Sequence, residues 1–350
     1  MRAIKMVALS AIFAAFAASA SFAKEYRVGV LYWSSNIPGQ VAMSKGLKGE
    51  AGKINAQAGA KKRPTVKLLI RTAGDRSSGI ENQIRQMKEL IRKKVDLIIV
   101  QPTDNAALAE PLRLANKAGI KVVAYDQYIS GGILAAYRTS DNYQAGYLDG
   151  EYIASKFPKE KELRIVLVEY PHVSSTVERV NGFLEALEQA GQRYRVLKSY
   201  TAVEPVSGGK AGAMILKDFP ARGSIDVVFT VNDGGGLAVV DKLIQAERNE
   251  IMVATIDGDP ASVKNIREGR LTVIDSAQFC GPLGAEALKA AYALLNGEKT
   301  PYHALVPVFP ITRETLNRYP GWMGPIPPAF AKPWKSSAPQ WRGTMRIVKH

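Results

Sequence analysis

The chain has 350 residues, of which 46% are hydrophobic and 23% are charged, a composition that is typical of folded globular proteins and argues against a disordered chain or a coiled coil. Its formal net charge is +15, but the basic residues are scattered along the chain, which argues against a nucleic-acid partner. A basic surface would still favour an acidic ligand or partner. Cys280 is the only cysteine, so no disulfide can form within the chain.

The first residues have the order of a secretory signal peptide. Arg2 and Lys5 form a short positive leader, residues 6–18 are almost wholly apolar, and the small residues that end at Ala23 fit a cleavage site. The apolar run of about 13 residues is shorter than the roughly 20 that a membrane-spanning helix needs, although a retained signal anchor is the alternative. We therefore expect residues 1–23 to be a signal peptide cleaved near Ala23, and the mature protein to be periplasmic.

About 327 residues follow the predicted signal peptide, more than one hydrophobic core usually organises, so two domains are expected. Short apolar stretches alternate with amphipathic helical patterns, which indicates βαβ units and parallel sheets covered by helices on both faces. We therefore predict an α/β fold of two doubly wound parallel-sheet lobes.

The predicted strands are 27–33, 65–71, 96–100, 121–125, 163–169, 194–200, 226–231, 251–256 and 271–276. The predicted helices are 41–55, 77–93, 105–117, 142–154, 174–189, 210–218, two helices that end at 245 and 268, and 282–295. The alternation pauses over residues 131–139. Residues 301–350 are rich in Pro, Trp and Arg, and we expect strand fragments and loop there.

Polar and aromatic side chains gather where the predicted strands end, which is where open α/β sheets bind their ligands. Asp, Asn and Gln can exchange hydrogen bonds with the hydroxyls of a sugar, and flat rings can cover its C–H faces. For any single residue, capping of the following helix is the alternative role. The candidate ligand-binding residues are Trp33, Asn36, Gln101, Asp126, Gln127, Asn232, Asp257 and Gln278. Further candidate rings are Tyr125, Tyr128 and Phe279.

The sequence offers little support for an enzyme or a metalloprotein. Asp126 and Asp257 could form a glycosidase pair, but the alternation lacks the eightfold closure of a barrel, and the two residues fall on opposite lobes. The three histidines show no metal-ligand spacing, and Cys280 has no catalytic signature around it. We therefore expect no catalysis, no metal and no cofactor.

Several motifs, none of them specific alone, have an order and spacing shared with one known family. They are 28–30, 36–38, 96–104, 119–126, 140–146, 178–183, 228–233 and 255–258. Over roughly residues 28–300 the chain resembles the ribose/galactose-type periplasmic binding proteins, the type 1 solute-binding family of ABC importers. The resemblance implies a monomeric clamp that closes on a small ligand and delivers it to an ABC permease in the inner membrane.

The resemblance also implies a three-crossing hinge near Ser140, Gln278 and Phe309. Residues 24–140 and 279–308 would form the N-terminal lobe. Residues 141–278 and 309–350 would form the C-terminal lobe and tail.

Family members place sugar-binding side chains where this chain has Asp126, Asn232, Asp257 and Gln278, so the resemblance implies the same role here. Ribose binders carry an arginine where this chain has Gln127, and a second one where Val177 falls. Their paired phenylalanines are replaced by Gly39 and Gln40, and Trp33 replaces a small polar residue. We therefore expect a different sugar, a polyol or another small polar molecule rather than ribose.

Two alternatives share the expected fold. Transcription regulators with this effector domain need an N-terminal helix-turn-helix, whereas this chain starts with a predicted signal peptide. A periplasmic sensor that signals to a membrane histidine kinase stays open, because the tail with Trp322, Trp334 and Trp341 loosely resembles the extended C-termini of such proteins.

Overall fold

The computed structural model describes residues 24–75 and 77–349, and the predicted signal peptide over 1–23 lies outside them. The described part of the chain forms two large sheets covered by helices, which confirms the predicted α/β fold of two doubly wound lobes. None of its helices combines the length and the apolar character needed to cross a bilayer.

The first sheet has seven strands. They are β1 (Glu25–Tyr32), β2 (Thr65–Thr72), β3 (Leu97–Val100), β4 (Lys121–Tyr125), β5 (Ala136–Ser140), β11 (His303–Val306) and β15 (Arg346–Val348). Their spatial order is β15-β11-β5-β4-β3-β1-β2, and all neighbours are parallel except β15, which is antiparallel to β11. β3 is buried along its whole length, as expected for a central parallel strand.

The second sheet has six strands. They are β6 (Leu163–Glu169), β7 (Tyr194–Thr201), β8 (Val227–Thr230), β9 (Met252–Asp257), β10 (Thr272–Gln278) and β12 (Val308–Thr312). Their order is β12-β10-β9-β8-β6-β7, and only β12 runs antiparallel to its neighbour. A short ribbon of β13 (Phe330–Ala331) and β14 (Gln340–Trp341) belongs to the tail.

The helices cover the sheets in pairs, with α1 against α9, α4 against α5 and α6 against α7. They are α1 (Pro38–Lys61), α2 (Ser77–Arg92), α3 (Ala109–Lys117), α4 (Asn142–Ala154), α5 (Ser174–Gln189), α6 (Pro205–Asp218), α7 (Asp233–Gln245), α8 (Pro260–Glu268) and α9 (Cys280–Leu295). The α4–α5 contact needs glycine, because a Cβ on Gly182 would lie 2.1 Å from the carbonyl oxygen of Tyr143. This close approach sets the position of α5 over the second sheet.

Strand β5 is absent from the sequence prediction, which placed a pause over residues 131–139. The strand is short and largely polar, yet all five of its residues are buried, because β4 and β11 flank it on both sides. The guanidinium of Arg138 is satisfied inside the fold, where it donates to the carbonyl of Tyr137 and to Thr300 Oγ1. The usual alternation of apolar and polar residues therefore could not reveal it.

The chain passes between the two sheets at three points, which confirms the predicted hinge. The first follows Ser140 at the end of β5, the second follows Gln278 at the end of β10, and the third is Pro307 between β11 and β12. The crossings are bonded to one another, since Ser140 Oγ donates to Gln278 Oε1 at 2.7 Å, and the Asp141 amide donates to the Val306 carbonyl at 2.8 Å.

The tail differs from its predicted place in one respect. Residues 309–350 were assigned to the second lobe, and β12 does lie in the second sheet, but β15 pairs with β11 of the first sheet. The tail therefore runs from one lobe to the other, and Arg346 Nη2 lies 2.9 Å from Asp141 Oδ2 near the first crossing. A strand of three residues with no alternating pattern is not visible in the sequence.

A buried ion pair fastens the middle of the tail to α4. Lys332 Nζ lies 2.6 Å from Glu151 Oε2, and both side chains are less than a tenth exposed. Trp334 Nε1 donates to the same oxygen at 3.0 Å. The ammonium and the indole together compensate the buried carboxylate.

We expect Lys332→Ala to lower the free energy of unfolding by about 3 kcal/mol, because it leaves the Glu151 carboxylate buried beside an empty site. The measurement is urea denaturation followed by circular dichroism. The matched control is the double variant Glu151→Gln with Lys332→Met, which keeps an acceptor for Trp334 and removes both charges, and should stay close to the wild type. Equal losses in both variants would contradict this role of the ion pair.

Candidate functional site

The carboxyl ends of the strands of both sheets face a common cleft between the lobes. At the bottom of this cleft is a cavity of about 30 Å³, called the inner cavity below. Six of the eight predicted ligand-binding residues line it, three from the first lobe, two from the second and one from the hinge. They are Trp33, Asp126 and Gln127; Asn232 and Asp257; and Gln278.

Asp126 is the charged group on the first-lobe wall. It follows β4 directly and has a left-handed backbone with φ of 66°, which turns the chain sharply at the strand end. Gln101 Nε2 donates to Asp126 Oδ2 at 2.8 Å, and Gln101 Oε1 accepts from the Trp33 amide at 3.3 Å. Burial raises the pKa of Asp126, while the hydrogen bond from Gln101 and the charge of Arg179 oppose that rise.

Asp257 is the corresponding group on the second-lobe wall. It ends β9, with φ of 136°, and its carboxylate accepts from Gln278 Nε2 at 2.5 Å and from Arg179 Nη1 at 3.2 Å. Burial raises the pKa of Asp257 to about 6, although the positive charge of Arg179 and the hydrogen bond from Gln278 lower it. Trp322 of the tail donates its indole N–H to the Asp257 carbonyl at 2.5 Å.

Arg179 is a site residue that the sequence analysis did not select. It lies on α5, is 3% exposed, and lines the cavity next to Asp257. Its Nη1 also donates to the Val231 carbonyl at 2.7 Å, and its Nε donates to Asn142 Oδ1 at 3.0 Å. Val177, where the resemblance placed a ligand-facing arginine, is instead exposed at 40%. Its helical spacing could have indicated this role, because Arg179 lies four residues before Phe183 and shares the buried face of α5 with it.

Two predicted residues do not line the inner cavity. Gln101 is fully buried behind Asp126 and acts by orienting its carboxylate. Asn36 is exposed at the cleft mouth, where its side-chain amide donates to Asp75 Oδ2 at 2.6 Å. Asn36 therefore lies too far out to contact a ligand in the inner cavity.

The four aromatic rings predicted to stack on a ligand lie in different surroundings. Tyr125 and Phe279 are completely buried in the hydrophobic core, so neither can stack on a ligand. Tyr128 packs edge-on against Tyr137 within the first lobe, with ring centroids 5.3 Å apart. Trp33 alone among the predicted rings lines the cavity.

Asn232 has a structural role in addition to its place on the cavity wall. Its side-chain oxygen caps α7 by accepting from the Gly235 amide at 3.2 Å, and its side-chain nitrogen donates to the Val203 carbonyl at 2.9 Å. The helix-capping role considered for residues at strand ends is therefore realised at this position.

The lobes touch across the cleft. The Ser175 amide donates to Gln127 Oε1 at 3.4 Å, and the Tyr128 amide donates to Ser174 Oγ at 3.3 Å. The cavity between them is correspondingly small. A buried water molecule needs about 10–15 Å³ of cavity volume, so the cavity of 30 Å³ has room for only a few waters. A ligand the size of a sugar ring therefore fits there only when the lobes lie further apart than in this structure.

A group of buried carboxyls lies behind the second-lobe wall. Burial raises the pKa of Asp275 to about 8, and it raises the pKa values of Asp149 and Asp233 well above the ordinary range. Each acid has hydrogen-bonding neighbours, for example Ser276 Oγ, which donates to Asp149 Oδ1 at 2.6 Å. Among the described residues, no group of three or more His, Cys, Asp or Glu side chains is arranged to hold a metal ion.

The chain is similar to known binding proteins over most of its length. A family model described as a periplasmic binding protein domain matches residues 28–299. The ribose import binding protein of Bacillus subtilis is 28% identical over 278 residues, which cover 79% of this chain and 84% of that protein. The D-allose-binding periplasmic protein of Escherichia coli is 27% identical over 291 residues, which cover 81% and 87% of the two chains.

Solved structures share the fold. A solute-binding protein from Actinobacillus succinogenes with bound D-allose superposes with a TM-score of 0.70 at 22% identity, covering 84% of this chain and all of that one. The Caulobacter myo-inositol binding protein, bound to myo-inositol, gives a TM-score of 0.71 at 22% identity and covers 84% and 94% of the two chains.

The raised carboxyl pKa values predict an unusual dependence of stability on pH. Between pH 8 and pH 6 the folded chain takes up protons at Asp275, with a pKa of about 8, and at Glu178, a half-buried residue of α5 whose pKa burial raises to about 7. Asp257, with a pKa of about 6, takes up part of a proton at the lower end of this range. Unfolded carboxyls stay ionised over this range, so the folded state binds more protons, and the free energy of unfolding should rise as the pH falls. We expect a rise on the order of 3–4 kcal/mol.

Urea denaturation at pH 8, 7 and 6 measures this effect. Asp275→Asn should make the free energy of unfolding depend less on pH, because the amide cannot take up the proton. A free energy of unfolding that falls between pH 8 and pH 6 in the wild type would show that the buried carboxyls do not titrate there.

Proposed function

The chain belongs to the periplasmic binding protein family, and on that premise we propose that it is the sugar-binding component of an ABC importer, exported to the periplasm. Its ligand is a sugar or a sugar-like polyol other than ribose. It binds this ligand between the lobes and carries out no chemistry on it. Relatives named for ribose and D-allose binding, and solved structures holding D-allose or myo-inositol, support this ligand class.

The proposal depends mainly on two carboxylates that lie on opposite walls of one cavity. Asp126 belongs to the first lobe and Asp257 to the second, and both line the inner cavity. A carboxylate accepts two hydrogen bonds from neighbouring hydroxyls, and such charge-assisted bonds are roughly twice as strong as neutral ones. A polyol between the two residues would satisfy both carboxylates, and Arg179 and Gln278 would serve as donors to its oxygens.

Closure of the clamp follows from this arrangement. A ligand that bonds to Asp126 and Asp257 at once interacts more strongly with the closed form than with the open form, so it shifts the population towards closure. Gln278 links the site to the hinge, because its amide nitrogen donates to Asp257 and its oxygen accepts from Ser140. Removal of water on closure strengthens the same polar contacts.

The differences from ribose binders support a different ligand. Gly39 and Gln40 line the cavity where the family resemblance implies a pair of phenylalanines, and Trp33 covers one side of it. Gln127 supplies a neutral amide where an arginine was implied. The cavity therefore has one aromatic wall, and Arg179 supplies its positive charge.

The membrane partner in this proposal is the importer's permease, which recognises the closed form. A sensor kinase is the alternative partner that the sequence left open. Genes for a permease and an ATPase next to this one would support the importer, and a neighbouring histidine kinase gene would support the sensor.

A thermal-shift screen of residues 24–350 against pentoses, hexoses and cyclic polyols, with amino acids and organic acids as controls, tests the ligand class. A ligand at 100 times its dissociation constant adds about 2.7 kcal/mol to the stability of the protein, so we expect a clear rise in midpoint with one carbohydrate group. A shift with amino acids or organic acids alone would contradict the sugar assignment.

We expect Asp257→Asn to weaken binding of the carbohydrate found in the screen by about 10- to 100-fold, because a charge-assisted hydrogen bond contributes about 1.5–3 kcal/mol. Calorimetric titration gives the affinity, and circular dichroism checks the fold. The matched control is Asp241→Ala, an exposed carboxylate on α7, which should bind like the wild type. Normal affinity in Asp257→Asn would place the ligand elsewhere.

A further inference from the structure

A second and larger cavity lies at the mouth of the same cleft. Its volume is about 330 Å³, roughly the lower limit of small-molecule sites, which span about 300–1,000 Å³. It shares Trp33, Ile37 and Val203 with the inner cavity, so the two spaces are direct neighbours. We refer to it below as the outer cavity.

Side chains from both lobes form the walls of the outer cavity. Trp33 and Asp104 come from the first lobe, and Tyr170 and His172 come from the second. The charge of Asp104 contributes to a raised pKa of Tyr170, after the larger effect of burial, which indicates that the two groups are close across the cleft. The outer cavity is therefore shaped by the same closure that forms the inner one.

The aromatic side chains form a bent wall. The ring centroids of Trp33 and Tyr170 lie 6.4 Å apart with an angle of 37° between the ring planes, and those of Tyr170 and His172 lie 5.0 Å apart. Trp33 is 7% exposed, so its ring is held firmly in place. Such a surface suits the C–H faces of a second sugar ring, because flat apolar groups pack well against them.

The outer cavity also offers a hydrogen-bond acceptor that the protein leaves unused. Asp104 Oδ1 accepts from the Ala106 and Ala107 amides, while its Oδ2 has no hydrogen bond among the described residues. Asp75, another acid of the lining, already accepts from Asn36 through its Oδ2. Asp104 Oδ2 can therefore accept a hydrogen bond from a ligand hydroxyl.

The charge of this lining restricts the ligand further. Among the described residues it contains the carboxylates of Asp75, Asp104 and Glu204 and no lysine or arginine, although the chain as a whole has a net charge of +15. Like charges repel strongly in a partly enclosed site, so sugar phosphates and uronic acids are disfavoured. The lining favours a neutral ring that carries several hydroxyl groups.

We propose that the outer cavity is a second subsite, which binds the second ring of a disaccharide whose first ring occupies the inner cavity. This inference rests on the proposed sugar-binding function. It extends that function from single sugars to ligands of two rings. Tyr170 is a specificity-determining residue here, since it lines the outer cavity and not the inner one.

Calorimetric titration of residues 24–350 tests the subsite with matched pairs of sugars. D-glucose is compared with maltose and cellobiose, and D-galactose with melibiose and lactose. We expect at least one disaccharide to bind tenfold or more tightly than its monosaccharide. Tyr170→Ala should bring the two affinities within about twofold of each other and leave that of the monosaccharide unchanged.

The matched control is Tyr194→Ala, which removes a partly buried tyrosine at the opposite end of the second sheet and should preserve the disaccharide preference. Monosaccharides that bind as well as or better than every disaccharide would overturn the subsite and leave the sugar-binding function intact. An equal loss of both affinities in Tyr170→Ala would also overturn it. A protein that binds no carbohydrate of either size would contradict the function itself.

Discussion

The buried carboxylate of Asp257 is the group around which the cleft is organised. A negative charge at the end of β9 is costly to bury, and Arg179 and Gln278 offset that cost through direct hydrogen bonds. Arg179 is placed by α5, whose distance from α4 depends on Gly182. Gln278 is held by Ser140 at the hinge. Helix packing, the hinge and the candidate site are thus joined through one carboxylate.

The tail contributes to the same arrangement rather than forming a separate appendage. Trp322 bonds to the backbone of Asp257, Lys332 pairs with Glu151 on α4, and β15 extends the first sheet. The tail thus contacts both lobes and the strand that carries the site. In the proposed clamp the lobes would move apart to admit a ligand, and the tail, which is bonded to both, would have to follow this motion.

The sequence predicted the parts of the fold that leave a repeating pattern. Alternating apolar strands and amphipathic helices gave both lobes and most element positions, because burial on both faces requires such runs. β5 was missed because its polar residues are satisfied inside the fold, and β15 because three residues carry no period. Arg179 was missed because its role depends on a carboxylate 78 residues away, and Tyr125 and Phe279 were misjudged because burial is a tertiary property.

In the proposed mechanism one ligand bridges Asp126 and Asp257 and thereby closes the lobes. Small-angle X-ray scattering with and without the carbohydrate identified by binding measures this directly. We expect the radius of gyration to fall on saturation in the wild type, and to fall less in Asp257→Asn at the lowest ligand concentration that saturates the wild type. A tightly bound sugar that leaves the radius of gyration of the wild type unchanged would contradict the claim, because the ligand would then contact a single lobe.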